Sequence, residues 1–217
     1  MANFTRNGYG QVEANQLSAQ KTGQIFASLP LASEVSVLQN GEFMYYDYAN
    51  NCVTAGVAAG AGTTKTVGEP MLVFNEVKLY DGSRETYRDF AIIRAGDNYV
   101  TSDKSTDEIA GGSNNAVTTI PGHTDYNYRM SGFAPRLLKT NIGDVFTTNM
   151  VKTGVEYAAG DILTPVKNAT SKTLVLEKND PTANAGAGNA ICALRFVVAK
   201  VYTMPDGQPG LKLQRVE

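Results

Sequence analysis

Histidine and tryptophan are nearly absent from this chain of 217 residues, which has one histidine and no tryptophan. Catalytic triads, zinc sites and imidazole acid–base pairs need at least one well-placed histidine. His123 lies between Gly122 and Thr124 in a turn-like stretch, which favours an exposed residue over a catalytic one. The sequence also has neither a phosphate-binding glycine loop nor a Gly-x-Ser-x-Gly motif. We therefore expect a structural or binding protein that is not an enzyme and that uses no cofactor and no metal.

Cysteine, an excess of one charge and long hydrophobic runs are also lacking. Cys52 and Cys192 are too few for a disulfide framework and are expected to be small buried residues. Nineteen Lys and Arg against 21 Asp and Glu give a net charge of −2, so nothing indicates nucleic-acid binding. The longest apolar stretch is interrupted by Arg195 and Lys200 and is shorter than the roughly 20 residues that a spanning helix needs. We expect neither a nucleic acid nor a membrane as partner.

Short strands are the main structural signal, because apolar residues alternate with polar ones and helical periodicity is nearly absent. The predicted strands are Glu34–Gln39, Glu42–Tyr48, Met71–Tyr80, Leu174–Leu176, Cys192–Tyr202 and Leu211–Val216. Hairpin turns are predicted at Asn40-Gly41, Asp81-Gly82 and Asp206-Gly207. The one moderate helix candidate is Val12–Gln20, whose length makes it marginal alone. The sequence thus predicts an all-β fold of mainly antiparallel barrel or sandwich units, with few or short helices.

The two halves of the chain share a pattern that indicates an internal duplication. Gly23-Gln24-Ile25-Phe26 resembles Gly143-Asp144-Val145-Phe146, and Gly41-Glu42-Phe43-Met44 resembles Gly160-Asp161-Ile162-Leu163. The alternative is that glycine, acid and apolar residues recur by chance in any two β segments. The predicted organisation is an extended N-terminal arm (1–16), a first β unit (17–94), a polar loop excursion (95–136) and a second β unit, a candidate duplicate of the first (137–217).

The N-terminal segment is the first candidate for contact with a partner. It has too few apolar residues for a core of its own and too many for a purely solvating tail, so we expect an arm that orders against a neighbouring subunit. The alternative is a strand or short helix packed on its own domain. The candidate interface residues are Phe4, Arg6 and Tyr9, together with Tyr126 and Tyr128 from the loop excursion.

Tyrosines offer a second type of surface. Tyr45, Tyr46 and Tyr48, with Tyr126 and Tyr128, could form stacking platforms for sugars or bases. The alternative is that these tyrosines serve packing, as tyrosines in strands commonly do.

Several segments resemble the capsid decoration, or cement, proteins of tailed bacteriophages. They are Pro135–Asn149, the turn Gly160-Asp161-Ile162-Leu163, and the closing strands Phe196–Val201 and Leu211–Val216. The resemblance implies a small β-rich structural protein that binds the exterior of an expanded head, bridges major capsid protein subunits and acts as a homo-oligomer. It also implies a virion location on the capsid surface, after synthesis in the host cytoplasm, which fits the lack of a secretory signal in residues 1–6.

The alternative function is a carbohydrate-binding or receptor-binding β module, such as a head fibre or a tail appendage, that uses the tyrosine clusters. If the arm prediction is right, deletion of residues 1–16 should lower capsid occupancy without unfolding the β domain.

Overall fold

The computed structural model describes the chain in several ranges. Side chains are described for residues 3–6, 9–35, 37–48, 50–56, 69–75, 134–178, 194–205 and 207–217, and the backbone alone for five strands between residues 78 and 132. The strands of the first half are β1 (Val12–Gln16), β2 (Ile25–Phe26), β3 (Leu38–Gln39), β4 (Phe43–Asp47), β5 (Cys52–Thr54), β6 (Met71–Val73), β7 (Lys78–Asp81), β8 (Arg84–Tyr87) and β9 (Ile92–Ile93). Those that follow are β10 (Asn98–Ser102), β11 (Tyr128–Gly132), β12 (Leu137–Leu138), β13 (Val145–Thr148), β14 (Ile162–Lys167), β15 (Leu174–Lys178), β16 (Phe196–Thr203) and β17 (Pro209–Arg215). One four-residue helix, α1 (Ala19–Thr22), is found in the described part of the chain.

Eleven of the strands form one antiparallel sheet. Its order is β1-β13-β17-β16-β14-β15-β4-β6-β12-β2, and β5 joins it by pairing with β4. Within the described residues the sheet is open, with β1 and β2 at its two ends. The prediction of an all-β, mainly antiparallel fold with few helices is therefore confirmed.

The chain divides into two compact units. Met1–Ala95 and Ala134–Glu217 form the first, and Gly96–Phe133 forms the second, in which β10 pairs with β11. The second unit falls within the predicted loop excursion 95–136 and contains two paired strands where the sequence predicted only loop. Strands of the predicted units 17–94 and 137–217 share the large sheet, for example where Leu174 of β15 pairs with Phe43 of β4. The internal duplication stays a prediction.

Two of the three predicted hairpins are confirmed. At the predicted turn Asp206-Gly207, β16 pairs with β17, with Thr203 opposite Pro209 and Gly207 at a φ of 84°, while Asp206 lies outside the described residues. Strands β7 and β8 pair as a hairpin at the second position, with Asp81 opposite Arg84, while Gly82 itself lies outside the described residues. At Asn40-Gly41 the prediction is wrong, because β3 pairs with β9 whereas β4 pairs with β5, β6 and β15.

The core contains a triangle of phenylalanines from strands that are distant in the sheet order. The rings of Phe43, Phe146 and Phe196 are fully buried, with centroids 6.2, 5.3 and 5.5 Å apart. Five steps of the sheet separate β13 from β4, which in a flat sheet would be roughly 24 Å at the usual strand spacing. The contact between Phe43 and Phe146 therefore shows that the sheet curls, so that its inner face encloses the core.

The N-terminal segment packs on its own unit, which corrects the expectation of an arm that orders against a neighbour. Strand β1 pairs with β13, with Val12 opposite Thr148. Phe4 is buried against Tyr157, their ring centroids 5.8 Å apart, and its backbone exchanges hydrogen bonds with residues 154 and 155. Deletion of residues 1–16 would remove an edge strand and a core side chain, so it should destabilise the β domain, contrary to the expectation from sequence.

The helix predicted over Val12–Gln20 is also wrong in its extent. The first five of these residues are the edge strand β1, and the helix begins only at Ala19. Local composition permits helix here, but an isolated helix of nine residues is only marginally stable in water. Pairing with β13 satisfies the backbone hydrogen-bonding groups of this segment as a strand instead.

Candidate partner interface

Exposed and half-buried aliphatic side chains gather on the outer face of four neighbouring strands. One row of paired residues crosses β13, β17, β16 and β14. Val145 lies opposite Gln214, Gln214 lies opposite Val197, and Val197 lies opposite Ile162. Directly opposite residues project from the same face of a sheet. Their chain neighbours Phe146, Leu213, Phe196 and Leu163 are buried on the other face. The row of Val145, Val197 and Ile162 therefore points away from the core.

Two further aliphatic residues extend this row at the end of the strands. Val216 follows Gln214 by two positions and continues the ladder, since its N–H donates to the carbonyl of Arg195. Ile142 lies in the turn before β13, where the N–H of the next residue donates to the carbonyl of Arg215. Ile142, Val216 and Ile162 are 74, 44 and 37% exposed. We call the set Ile142, Val145, Ile162, Val197 and Val216 the aliphatic corner.

The residues predicted from sequence as interface contacts are not brought together. Phe4 faces the interior of its own unit. Arg6 is half-buried at the mouth of a cleft, and Tyr9 is 47% exposed. Tyr128 begins β11, but its side chain is not described, and Tyr126 lies outside the described residues, as does His123. The placement of Phe4 removes it from the set, and the other four stay predictions.

The tyrosine cluster is divided between core and surface. Tyr46 is buried, and its hydroxyl oxygen accepts hydrogen bonds from the backbone N–H groups of Ser28 and Leu29 at 2.7 and 3.0 Å. Tyr48 is exposed and meets the ring of Tyr46 edge-on at 5.4 Å. Tyr46 therefore serves packing, and Tyr48 is the described member of the cluster most open to a stacking ligand.

A polar cleft of about 240 Å³ opens beside the N-terminal segment. Its charged lining residues are Arg6, Glu42, Lys152 and Glu177, and a polar lip is formed by Asn168, Thr170 and Ser171. Lys152 and Glu177 pair with each other at 2.7 Å across an exposed rim. The cleft is thus lined by an ion pair, by a buried carboxyl group and by an arginine.

Glu42 is buried in the turn before β4, where the sequence pattern showed only an acid in front of an apolar strand. Its carboxyl group accepts hydrogen bonds from the N–H of Gln39 at 2.8 Å and the hydroxyl of Thr173 at 2.7 Å. Desolvation by burial raises the pKa of Glu42 from 4.5 to about 7, although both hydrogen bonds and the charge of Arg6 act in the opposite direction. This carboxyl group therefore changes charge near neutral pH.

A half-buried polar group lies on the outer face near β1. The hydroxyl of Tyr202 donates to a carboxylate oxygen of Glu13 and lies 3.1 Å from the hydroxyl of Thr147. Burial, followed by the bond to Glu13, raises the pKa of Tyr202. This group ties β16 to β1 and β13.

The aliphatic corner and the cleft were both missed at the level of sequence. The alternation in β17 indicated an outward Gln214, but only the register of four strands shows which outward residues are neighbours. Among the side chains that the structure describes, no group of three or more His, Cys, Asp or Glu residues is placed to hold a metal ion. No described helix has the length and apolar content to cross a membrane. Comparison with protein-family models, curated proteins and solved structures gave no match.

Proposed function

We propose that this protein is a structural virion protein that binds the exterior of a phage capsid and stabilises it by bridging major capsid protein subunits. The observation that carries the proposal is that the segments resembling decoration proteins form adjacent strands. Strands β13, β17, β16 and β14 are consecutive in the sheet, and together they build the aliphatic corner. The resemblance and the exposed apolar surface thus coincide on one part of the molecule.

Binding free energy alone is the proposed mechanism. Exposed aliphatic side chains contribute roughly 25 cal/mol for each Å² of apolar surface that a partner covers. A modest interface of this kind is weak for one copy, but a homo-oligomer that contacts several capsid subunits gains affinity because later contacts form at high effective concentration. With a net charge of −2 there is little overall field to guide the approach, so local shape and apolar contact determine the fit.

The test is cosedimentation of the purified full chain with expanded heads assembled from the major capsid protein of the genome that encodes it. We expect saturable binding to the heads. The double variant Ile142→Asp/Val216→Asp places two charges at exposed positions of the aliphatic corner and should weaken binding roughly tenfold or more, since each buried aliphatic side chain accounts for about 1.5 kcal/mol or more.

The matched control is Tyr48→Ser, which removes an exposed apolar group beside β4, outside the aliphatic corner, and should leave head binding unchanged. The proposal is wrong if the genome encodes no major capsid protein or if the purified chain does not bind the heads. Binding to a glycan array that Tyr48→Ser abolishes, without affinity for heads, would establish the carbohydrate-binding alternative instead.

A further inference from the structure

The Arg6 guanidinium is a cation whose hydrogen-bonding capacity is little used. Its Nη1 lies against the sulfur of Met150, and a thioether is a weak acceptor. None of the ion pairs between described residues includes Arg6. Because a guanidinium carries five N–H donors in a planar fork, most of its donor capacity is available to a ligand in the cleft.

The other charged groups of the cleft are already engaged. Both oxygens of Glu42 accept hydrogen bonds, from Gln39 and Thr173, and Lys152 is paired with Glu177. Arg6 is therefore the cation of the cleft that forms no ion pair with a described carboxylate, and the neighbouring Glu42 interacts with it through its charge alone.

The polar lip of the same cleft adds neutral donors. The side-chain oxygen of Asn168 accepts from the N–H groups of Thr170 and Ser171 at 2.9 and 3.2 Å, which fixes this turn. The amide nitrogen of Asn168 and the hydroxyl of Thr170 make no hydrogen bond to another described residue. Both groups are exposed at the lip of the cleft and can donate to a bound oxygen.

We propose that this cleft binds a single carboxylate group, held by the guanidinium fork of Arg6 and by the donors of the Asn168–Ser171 turn. A planar carboxylate matches the fork with two parallel N–H···O bonds. A doubly charged phosphate fits the cleft less well, because it would meet the carboxyl groups of Glu42 and Glu177 with one more negative charge. The carboxylate can belong to an acidic side chain of a protein partner or to a free carboxylic acid.

The experiment is an NMR titration of the ¹⁵N-labelled full chain at low salt with three probes. They are acetyl-Ala-Glu-Ala-amide, its neutral counterpart acetyl-Ala-Gln-Ala-amide, and propionate. We expect the Glu peptide to shift the amide signals of Asn168, Thr170 and Ser171 and to bind roughly tenfold more tightly than the Gln peptide, as a charge-assisted pair requires. Tighter binding of the Glu peptide than of propionate indicates a protein side chain as the source, and equal binding indicates a free acid.

The variant Arg6→Gln should lower the affinity for the Glu peptide to that for the Gln peptide, and Arg6→Lys should restore part of it because the charge returns without the fork. The peptide pair on the unmodified chain does not depend on how well a variant folds. Equal affinity for the two peptides, or full affinity of Arg6→Gln for the Glu peptide, would overturn the proposal. Neither result bears on head binding through the aliphatic corner, which the cosedimentation experiment measures separately.

Discussion

Replacing Phe196 with alanine is expected to lower the free energy of unfolding by about 3 to 5 kcal/mol, the usual cost of removing a buried phenylalanine ring. Phe196 is fully buried and contacts both Phe43 and Phe146. These three rings come from β16, β4 and β13. A cavity at Phe196 therefore weakens the packing of β4 against β13 and β16 across the inner face of the sheet. Urea unfolding, with the midpoint and the slope measured separately, checks the size of the loss.

Tyr9→Ala is the matched control, since it removes an aromatic ring that is about half exposed and should change stability by no more than about 0.5 kcal/mol. The double variant Phe43→Ala/Phe196→Ala should lose less than the sum of the two single losses, because the rings share one contact. A loss below about 1 kcal/mol for Phe196→Ala would show that the triangle is not the centre of the core.

Strands and turns could be predicted from this sequence where the signal is local. Apolar Leu211 and Leu213 alternate with polar Lys212 and Gln214, which predicts a half-buried strand. In β17 the two leucines are buried, whereas Lys212 is half-buried and Gln214 is exposed. Asp206-Gly207 predicts a hairpin because glycine reaches positive φ without strain, and Gly207 has a φ of 84°. Both features depend only on residues within a few positions of one another.

Strand order could not be predicted, because it depends on residues that are far apart in the chain. Strand β1 pairs with β13, about 130 positions away, and that long-range pairing makes Val12–Gln16 a strand where composition alone permits a helix. Asn40-Gly41 has the local chemistry of a hairpin, yet the strands on either side of it find other partners. Local chemistry fixes the turn but leaves the pairing to tertiary contacts.

The two candidate sites were hidden for the same reason. The aliphatic corner combines Val145, Val197 and Ile162 from three strands, and none of these residues is unusual in its own segment. Arg6 was identified in the sequence as an interface residue, but nothing local connects it with Glu42 or with the turn at Asn168. Such groups become visible only in the folded structure, where strand register and loop packing bring their residues together.

The stability of the protein is expected to fall as the pH rises through neutrality, because Glu42 must then be buried with a negative charge. The pKa of Glu42 is raised from 4.5 to about 7 in the folded state, so the folded chain holds this proton at pH values where the unfolded chain has lost it. The stability that the folded chain gains by holding this proton is therefore fully present below about pH 4.5 and is lost as the pH rises through about 7. Each pKa unit corresponds to about 1.4 kcal/mol, which gives a loss of about 2 to 3 kcal/mol between about pH 5 and pH 8.

Glu42→Gln isolates this contribution, since the amide stays neutral at every pH while its oxygen can accept from Gln39 and its NH₂ group can donate to the hydroxyl of Thr173. Measured by urea unfolding across this range, the stability of the variant relative to the unmodified chain should rise with pH by about 2 to 3 kcal/mol. Glu34→Gln makes the same change of charge at an exposed position and is the matched control. A constant difference between Glu42→Gln and the unmodified chain would mean that the Glu42 carboxyl group is already ionised at pH 5, and hence that Arg6, Gln39 and Thr173 together outweigh the cost of its burial.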